Sequence, residues 1–446
     1  MSDRPDILLI LTDQQAATAM SCAGQGELHT PAMDRIAARG VRLEQAHCTQ
    51  PLCAPSRASL VTGRYPHEVG VPYNLHWHEC PAAAEHRWLG HILREAGYTT
   101  AWVGKWHLPA AVEATDVHGF DIARETEGNE QDHRVPAACR AILDAHRGRP
   151  LFLAASFVNP HDCCQAARDQ PFPNGPIGEP PPAEQCPPLP ANFDPPAGEP
   201  TVLRGKVMPA HPAAYPSVNW RPDRWRQYRW QYNRLVEKVD RHVGELLDAL
   251  EATGRLDRTL IIFTSDHGDG MGGHRWNQKQ VLYDEAARVP MLLAAPSRNR
   301  AGEADEHLVS MNLDLIPTLC DYAGVATPAE LPGRSLRPLV EGEVVPAWRD
   351  AVYGETEFSG FGLGSSTGVK GRMVRTERHK YIVYSEGEDR EQLFDMIEDP
   401  GEMRDLSASA EHAPVLAEHR ARLARWCQWT DDEFPLATRP ATRQPG

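Results

Sequence analysis

No stretch of the 446-residue sequence is apolar for long enough to cross a bilayer. The run Ile7 to Leu11 follows a charged start, Met1-Ser2-Asp3-Arg4-Pro5-Asp6, and is also too short for a signal-peptide core. A soluble, cytoplasmic protein without a membrane partner is expected. Excess positive charge is missing as well. A formal net charge of −15 argues against general nucleic-acid binding, so an anionic substrate has to be held by local cations. The ten cysteines follow no regular spacing and do not read as a disulfide framework. Adjacent Cys163 and Cys164 cannot readily bridge to each other and are not a CxxC metal pair. No internal repeat is visible.

What is present is a chain long enough for one large core and a smaller second one. Short, almost wholly apolar runs at residues 6–12, 98–103, 151–158, 259–264 and 289–294 read as strands buried on both faces. Residues 41–47 alternate as a further strand. A helix is expected over residues 32–39, with Thr30 as N-cap, Pro31 in its first turn and Gly40 as its stop. Others fall at 88–95, 135–147 and 312–323. The longest, over 225–252, carries an apolar stripe that includes Tyr232, Leu235, Val239, Val243 and Leu246. Residues 165–222 are Pro-rich and without periodicity, and read as a long irregular insertion. After about 346 strand-like pieces (372–376, 380–385) alternate with charged turns, and an amphipathic helix follows over 414–429. The expected architecture is α/β. A large, mainly parallel sheet flanked by helices occupies residues 1–345, and a smaller antiparallel sheet plus helix occupies 346–446.

Chemistry concentrates at a few points. Cys53-Ala54-Pro55-Ser56-Arg57 puts a thiol, a proline, a hydroxyl and a guanidinium within five residues at the start of a helix. Unpaired N–H groups and the helix dipole attract anions there, and Arg57 adds a positive fork suited to an oxyanion. Four strand ends carry polar groups: Asp13 and Gln14; Lys105 and His107; His161; Asp266 and His267. In a mainly parallel sheet these ends share one edge. Taken singly, each has a plain structural explanation, such as a turn cap or a core histidine. Four together beside the Cys53 helix form a constellation. Asp13, Gln14, Asp266 and His267 offer two carboxylates, an amide oxygen and an imidazole. That set suits a hard divalent cation, Ca²⁺ first and Mn²⁺ or Mg²⁺ next. Thiolates and histidines are too few for zinc. Arg57, Lys105 and Lys279 can surround a tetrahedral dianion. His107 and His161 titrate near neutral pH and are natural proton carriers.

The chain resembles the type I sulfatases of the alkaline phosphatase superfamily. The matching segments are Ile7 to Gln14, Cys53-Ala54-Pro55-Ser56-Arg57 with Thr62-Gly63, Gly104-Lys105-Trp106-His107, Asn159-Pro160-His161-Asp162, Ser265-Asp266-His267-Gly268-Asp269, and Lys279 ahead of Arg288-Val289-Pro290. Glu391 to Asp395 and Asp399-Pro400-Gly401-Glu402 resemble the family's tail, so the match runs nearly end to end. The resemblance implies that Cys53 is oxidised to formylglycine by a formylglycine-generating enzyme, which would recognise Pro55 and Arg57. The hydrated aldehyde would attack sulfur, and its second hydroxyl would release the sulfate. It further implies that Asp13, Gln14, Asp266 and His267 hold one metal ion, that Arg57 orients the formylglycine, and that Lys105 binds sulfate and supports His107 as base. His161 and Lys279 would face the leaving oxygen, with His161 as general acid. Asn74 matches a position near the sulfate. Many members have paired Asp where this chain has Asp13-Gln14, and Asn in place of His267. The combination seen here also resembles phosphonate monoester hydrolases and choline-sulfatase-like members.

The expected activity is hydrolysis of a sulfate ester or sulfamate on a small molecule or saccharide. The alternative is a phosphonate monoester or phosphodiester hydrolase using the same formylglycine. A two-metal phosphatase lacks a second ligand set, and a non-catalytic scaffold is at odds with the complete set of side chains. His76 and His78, with Trp77 between them, are expected on the leaving-group side. His274 is read either as supporting the metal site or as a surface histidine.

Overall fold

A computed structural model describes residues 4–75, 81–125, 132–210, 215–360, 364–387 and 389–436. Strand β1, Asp6–Asp13, is buried along its whole length. Ile7, Leu9 and Leu11 join one hydrophobic layer, and Leu8 and Ile10 join the other. Period-two alternation with both faces apolar forces a strand between two layers of helices. Each fully buried Leu or Ile contributes roughly 1.5–3 kcal/mol. The sheet is completed by β2 (Val41–His47), β3 (Thr99–Gly104), β4 (Ile122–Glu125), β5 (Leu151–Pro160), β6 (Thr259–Ser265), β7 (Met291–Ala294) and β8 (Glu303–Ser310). Their order is β4-β3-β5-β1-β6-β7-β2-β8. Among the described residues only β7 runs against its neighbours, so β1, β2, β3, β5 and β6 all end on one edge. Thr12 pairs with Ser265, and Asp13 with Pro160. This register sets Asp13 beside Asp266 and His161.

Helices Cys53–Thr62, Leu89–Glu95 and Met311–Ala323 cover one face through Leu60, Leu93 and Leu315. Helices Pro31–Arg39, Val135–Ala145 and Pro222–Ala252 cover the other through Ile36, Leu143 and Val239. A second, antiparallel sheet has the order β12-β11-β10-β9, from β9 (Ala351–Ser359), β10 (Ser366–Thr376), β11 (His379–Tyr384) and β12 (Glu391–Asp395). Leu423 and Trp426 of helix Ala413–Thr430 pack on its Tyr381 and Leu393. Its Met373 and Phe394 pack on Trp276, Leu282 and Tyr283 of the first part of the chain. Among the described residues no helix is long and apolar enough to cross a membrane.

Three differences from the sequence expectation have physical causes. Thr30 does not cap its helix. Its Oγ1 is engaged with Ser21, and the first-turn N–H groups of Ala32 and Met33 donate instead to Asp240 of the long helix, at 3.1 and 2.8 Å. The β7 pairing begins after Pro290, which has no N–H to give. Edge strand β8 was illegible because its first half is exposed and charged. The Pro-rich segment is largely irregular, broken by short helical turns such as Cys163–Ala167 and Leu203–Val207.

Candidate active site

The carboxyl edge of the large sheet gathers Asp13, Gln14, Arg57, Lys105, Asp266, His267 and Lys279 around Cys53. Cys53 opens its helix, and the preceding residue, Leu52, has no side-chain oxygen to cap it. Asn74 Oδ1 accepts the Ala54 N–H at 3.1 Å and does that work. Asn74 therefore braces the helix start. Ser56 Oγ donates to the Asp266 carbonyl at 2.5 Å, and Asn312 Nδ2 donates to the Ser56 carbonyl at 2.7 Å. The first bond fastens the helix to the end of β6, and the second fastens it to helix Met311–Ala323. Gln14 and His107 have φ of 71° and 45°, an uncommon conformation for non-glycine residues. The Gln14 backbone is held in it by its N–H to Asp266 Oδ1 (3.2 Å) and by Tyr232 OH donating to its carbonyl (2.7 Å).

The two aspartates share a division of labour between their oxygens. Arg57, wholly buried, gives Nε to Asp266 Oδ2 at 2.8 Å and Nη2 to Asp13 Oδ2 at 3.2 Å. Its Nη1 goes to Ser156 Oγ at 3.0 Å and the Lys105 carbonyl at 3.3 Å. The fork expected to grip an oxyanion is thus spent on the carboxylates and on Ser156. Lys105 Nζ also takes Asp13 Oδ2, at 2.5 Å. Each Oδ1 is left toward Cys53 and His267. Asp13 Oδ1 lies 3.8 Å from Cys53 Sγ and 3.9 Å from His267 Nε2, and Asp266 Oδ1 lies 3.6 Å from the same nitrogen. The His267 ring is oriented by its Nδ1–H donating to the Gly268 carbonyl at 2.8 Å. That bond fixes the tautomer and turns the Nε2 lone pair toward the aspartates, as metal-bound histidines are commonly held. One donor atom each from Asp13, Cys53, Asp266 and His267 lies within 4.8 Å of the others. Lys279 Nζ touches Cys53 Sγ at 3.0 Å and Gln14 Oε1 at 2.8 Å, so the Gln14 oxygen adjoins the same cluster. Two carboxylates, an imidazole and an amide oxygen fit a hard or borderline divalent cation.

The electrostatics follow from burial and charge. Burial pushes Asp266 up, reinforced by Asp13, to about 6. Asp13 is also strongly desolvated, yet Lys105, His161, Lys279 and Arg57 hold it well below the usual carboxylate range. The Cys53 thiol is pulled down in the same way, its burial and Asp13 being outweighed by Lys279, Lys105 and His267. His107 is lowered by burial, which keeps its imidazole neutral. Three cations, Arg57, Lys105 and Lys279, gather beside the two carboxylates and Cys53, local positive charge within an acidic chain.

His161, half-buried, directly follows β5, and its Nδ1 is buried without a hydrogen-bond partner. Predicted residues His76 and His78, with Trp77, lie outside the described residues. His274 neither supports the metal cluster nor reaches the surface. It is buried against Tyr283, ring centroids 4.1 Å apart, with Nε2 bonded to the Gly401 carbonyl at 2.9 Å. Ser156 and Tyr228 also belong to the site, as do Cys164 and Asp269, to which the sequence pattern assigned no role there. Asp269 stood within the Asp-His-Gly-Asp run. Tyr228 lies one turn before Tyr232, and the polar tips of two tyrosines in an apolar stripe were the available signal.

A family model described as Sulfatase matches residues 5–325, and one described as N-sulphoglucosamine sulphohydrolase, C-terminal, matches 272–428. The chain is 31% identical to the Delta 4,5-hexuronate-2-O-sulfatase of Bacteroides thetaiotaomicron, over 97% of this chain and 90% of that protein. It is 28% identical to the N-acetylglucosamine-6-O-sulfatase of the same organism, over 92% of this chain and 84% of that one. The solved structure of a 2-O GAG sulfatase superposes with a TM-score of 0.84 at 28% identity, covering 99% of both chains.

Proposed function

The chain belongs to the sulfatase family, in the alkaline phosphatase superfamily, and is a sulfuric ester hydrolase; on that premise we propose that it removes sulfate from a sulfated saccharide, using formylglycine made from Cys53 and one divalent cation. The observation that carries the proposal is the meeting of Cys53 Sγ with Lys279 Nζ at 3.0 Å and His267 Nε2 at 3.3 Å, beside Asp13 and Asp266. The thiol stands where the formylglycine would be.

Asp13, Gln14, Asp266 and His267 would hold the cation, Ca²⁺ first and Mn²⁺ or Mg²⁺ as alternatives. The ion would polarise the sulfate and acidify the nucleophile. Formylglycine would supply a hydrated aldehyde as an activated oxygen nucleophile at position 53. The remaining work falls to side chains of this chain. Arg57 holds Oδ2 of both carboxylates, so that each Oδ1 faces Cys53 and His267. Lys105 and Lys279 balance the charge of the bound sulfate. His107, whose pKa burial lowers, would take a proton from residue 53. His161 and Lys279 would donate toward the leaving oxygen. The saccharide preference rests on the substrates named for the two relatives, a hexuronate and an N-acetylglucosamine.

The test is a panel of kcat/KM values on sulfated sugars, an aryl sulfate, choline sulfate and an aryl phosphonate, using protein from the native host. Peptide mass spectrometry across Cys53 accompanies it. The expected result is an aldehyde at residue 53 and the highest kcat/KM on a sulfated sugar. A much higher value for the phosphonate, or an unmodified thiol in active protein, overturns the proposal.

A further inference from the structure

We propose that Asp269 is a positioning residue that decides which end of the Gln14 amide faces the metal site. The inference rests on Gln14 being a ligand there. An amide offers a carbonyl oxygen or an NH₂ according to a half-turn of its last torsion, and only the oxygen can bind a cation. The Gln14 backbone is fixed by Asp266 and Tyr232, so the side-chain direction is set by whatever meets its two ends.

Asp269 is wholly buried, with Oδ2 2.7 Å from Gln14 Nε2. Its other neighbours are donors. Tyr228 OH lies 3.1 and 3.2 Å from the two oxygens, the Met271 N–H donates to Oδ1 at 2.8 Å, and Cys163 Sγ is 3.7 Å from Oδ2. No Lys, Arg or His forms an ion pair with Asp269 among the described residues. Both oxygens are used as acceptors by these donors, so the NH₂ of Gln14, and not its oxygen, turns to Oδ2. Oε1 then points to the opposite side. There it meets Lys279 Nζ at 2.8 Å and the Cys164 thiol at 3.5 Å, next to Cys53. Tyr228 and Tyr232, one helical turn apart, hold the orienting carboxylate and the oriented backbone from a single helix. This pairing gives Asp269 a function that a carboxylate at position 14 would not tolerate, since two carboxylates would then meet.

The proposal is tested by calorimetric titration of EDTA-stripped protein with Ca²⁺, using wild type, Asp269→Asn, Gln14→Glu and the double variant. In Asp269→Asn the Met271 N–H keeps the oxygen at the Oδ1 position, so the new NH₂ confronts that of Gln14 and the amide turns over. Affinity is expected to fall about 10–100-fold. In the double variant the new NH₂ at position 269 donates to the new carboxylate at position 14. Gln14→Glu is therefore expected to be about tenfold or more favourable in the presence of Asp269→Asn than in its absence. Thermal unfolding of the metal-free proteins monitors folding. Should Asp269→Asn not fold, folding recovered by adding Gln14→Glu is the same coupling, and failure of both proteins overturns the proposal. Wild-type affinity in Asp269→Asn, or an equal effect of Gln14→Glu on both backgrounds, also overturns it. Either result would leave the sulfatase reading standing, whereas a wild type that binds no divalent cation removes both.

Discussion

Arg57 offers the sharpest test of how the site is held. Its replacement by Met keeps most of the volume and removes the donors to Asp266, Asp13, Ser156 and the Lys105 carbonyl. The two aspartates do not suffer equally. Asp13 retains Lys105 at 2.5 Å. Asp266 Oδ2 loses its charged partner, while Oδ1 keeps the N–H groups of Gln14 and His267 and the His267 ring at 3.6 Å. Removing one member of a buried ion pair costs about 3–5 kcal/mol, because the other charge is left desolvated and unpaired. Arg57→Lys keeps one charge but cannot span both carboxylates, so the expected loss is smaller, about 1.5–3 kcal/mol. The measurement is urea unfolding at neutral pH, with EDTA and again with saturating Ca²⁺. The Met variant should lose the full amount in EDTA and recover part of it in Ca²⁺, since a dication on the Oδ1 side replaces some of the missing charge. A Met variant within about 1 kcal/mol of wild type in EDTA would refute the reasoning, and so would a Lys variant less stable than the Met variant.

Three further outcomes are expected. Asp240→Ala removes the acceptor for the Ala32 and Met33 N–H groups and should cost about 1–2 kcal/mol in denaturant unfolding; no change would mean that another group caps the helix. Gly104 has φ +102° and a Cβ there would lie 1.9 Å from the Ser156 carbonyl oxygen, so Gly104→Ala should push β3 from β5 and lower both the melting temperature and kcat, because Lys105 follows directly. His67 Nδ1 bonds Glu355 Oε2 at 2.5 Å. Burial opposes its protonation, but Glu355 and Asp432 outweigh burial and Arg372, so its pKa is raised. A histidine with a raised folded pKa adds stability that is complete below the unfolded value and fades as pH rises through the folded one. The stability gap between wild type and Glu355→Gln should therefore be about 2 kcal/mol in mild acid and shrink in alkali; a gap independent of pH rules this out.

The central strands were legible because their side chains alternate between two apolar layers, a pattern that only a doubly covered strand satisfies. The long helix was legible from its stripe, and Cys53, Asp13, Asp266 and His267 from clustered functional groups at strand ends. β4 and β8 were not, because these edge strands bury one side or less and carry charge; β9 and β12 are largely buried, but their charged and polar residues hid the apolar pattern. Local sequence chemistry proposed Thr30 as a cap and Arg57 as an anion grip. Both assignments yielded to partners more than 200 residues away, Asp240 and Asp266. Asn74 likewise holds the start of the Cys53 helix. By itself, then, the sequence determined the layered α/β fold and the inventory of groups at the sheet edge, since burial pattern and residue type are local properties. Only the tertiary structure decided which oxygen of each aspartate faces Cys53 and His267, which ring nitrogen of His267 faces Cys53, and that Asp269 meets the Gln14 amide. These depend on register and on hydrogen bonds between distant segments, which no local pattern encodes.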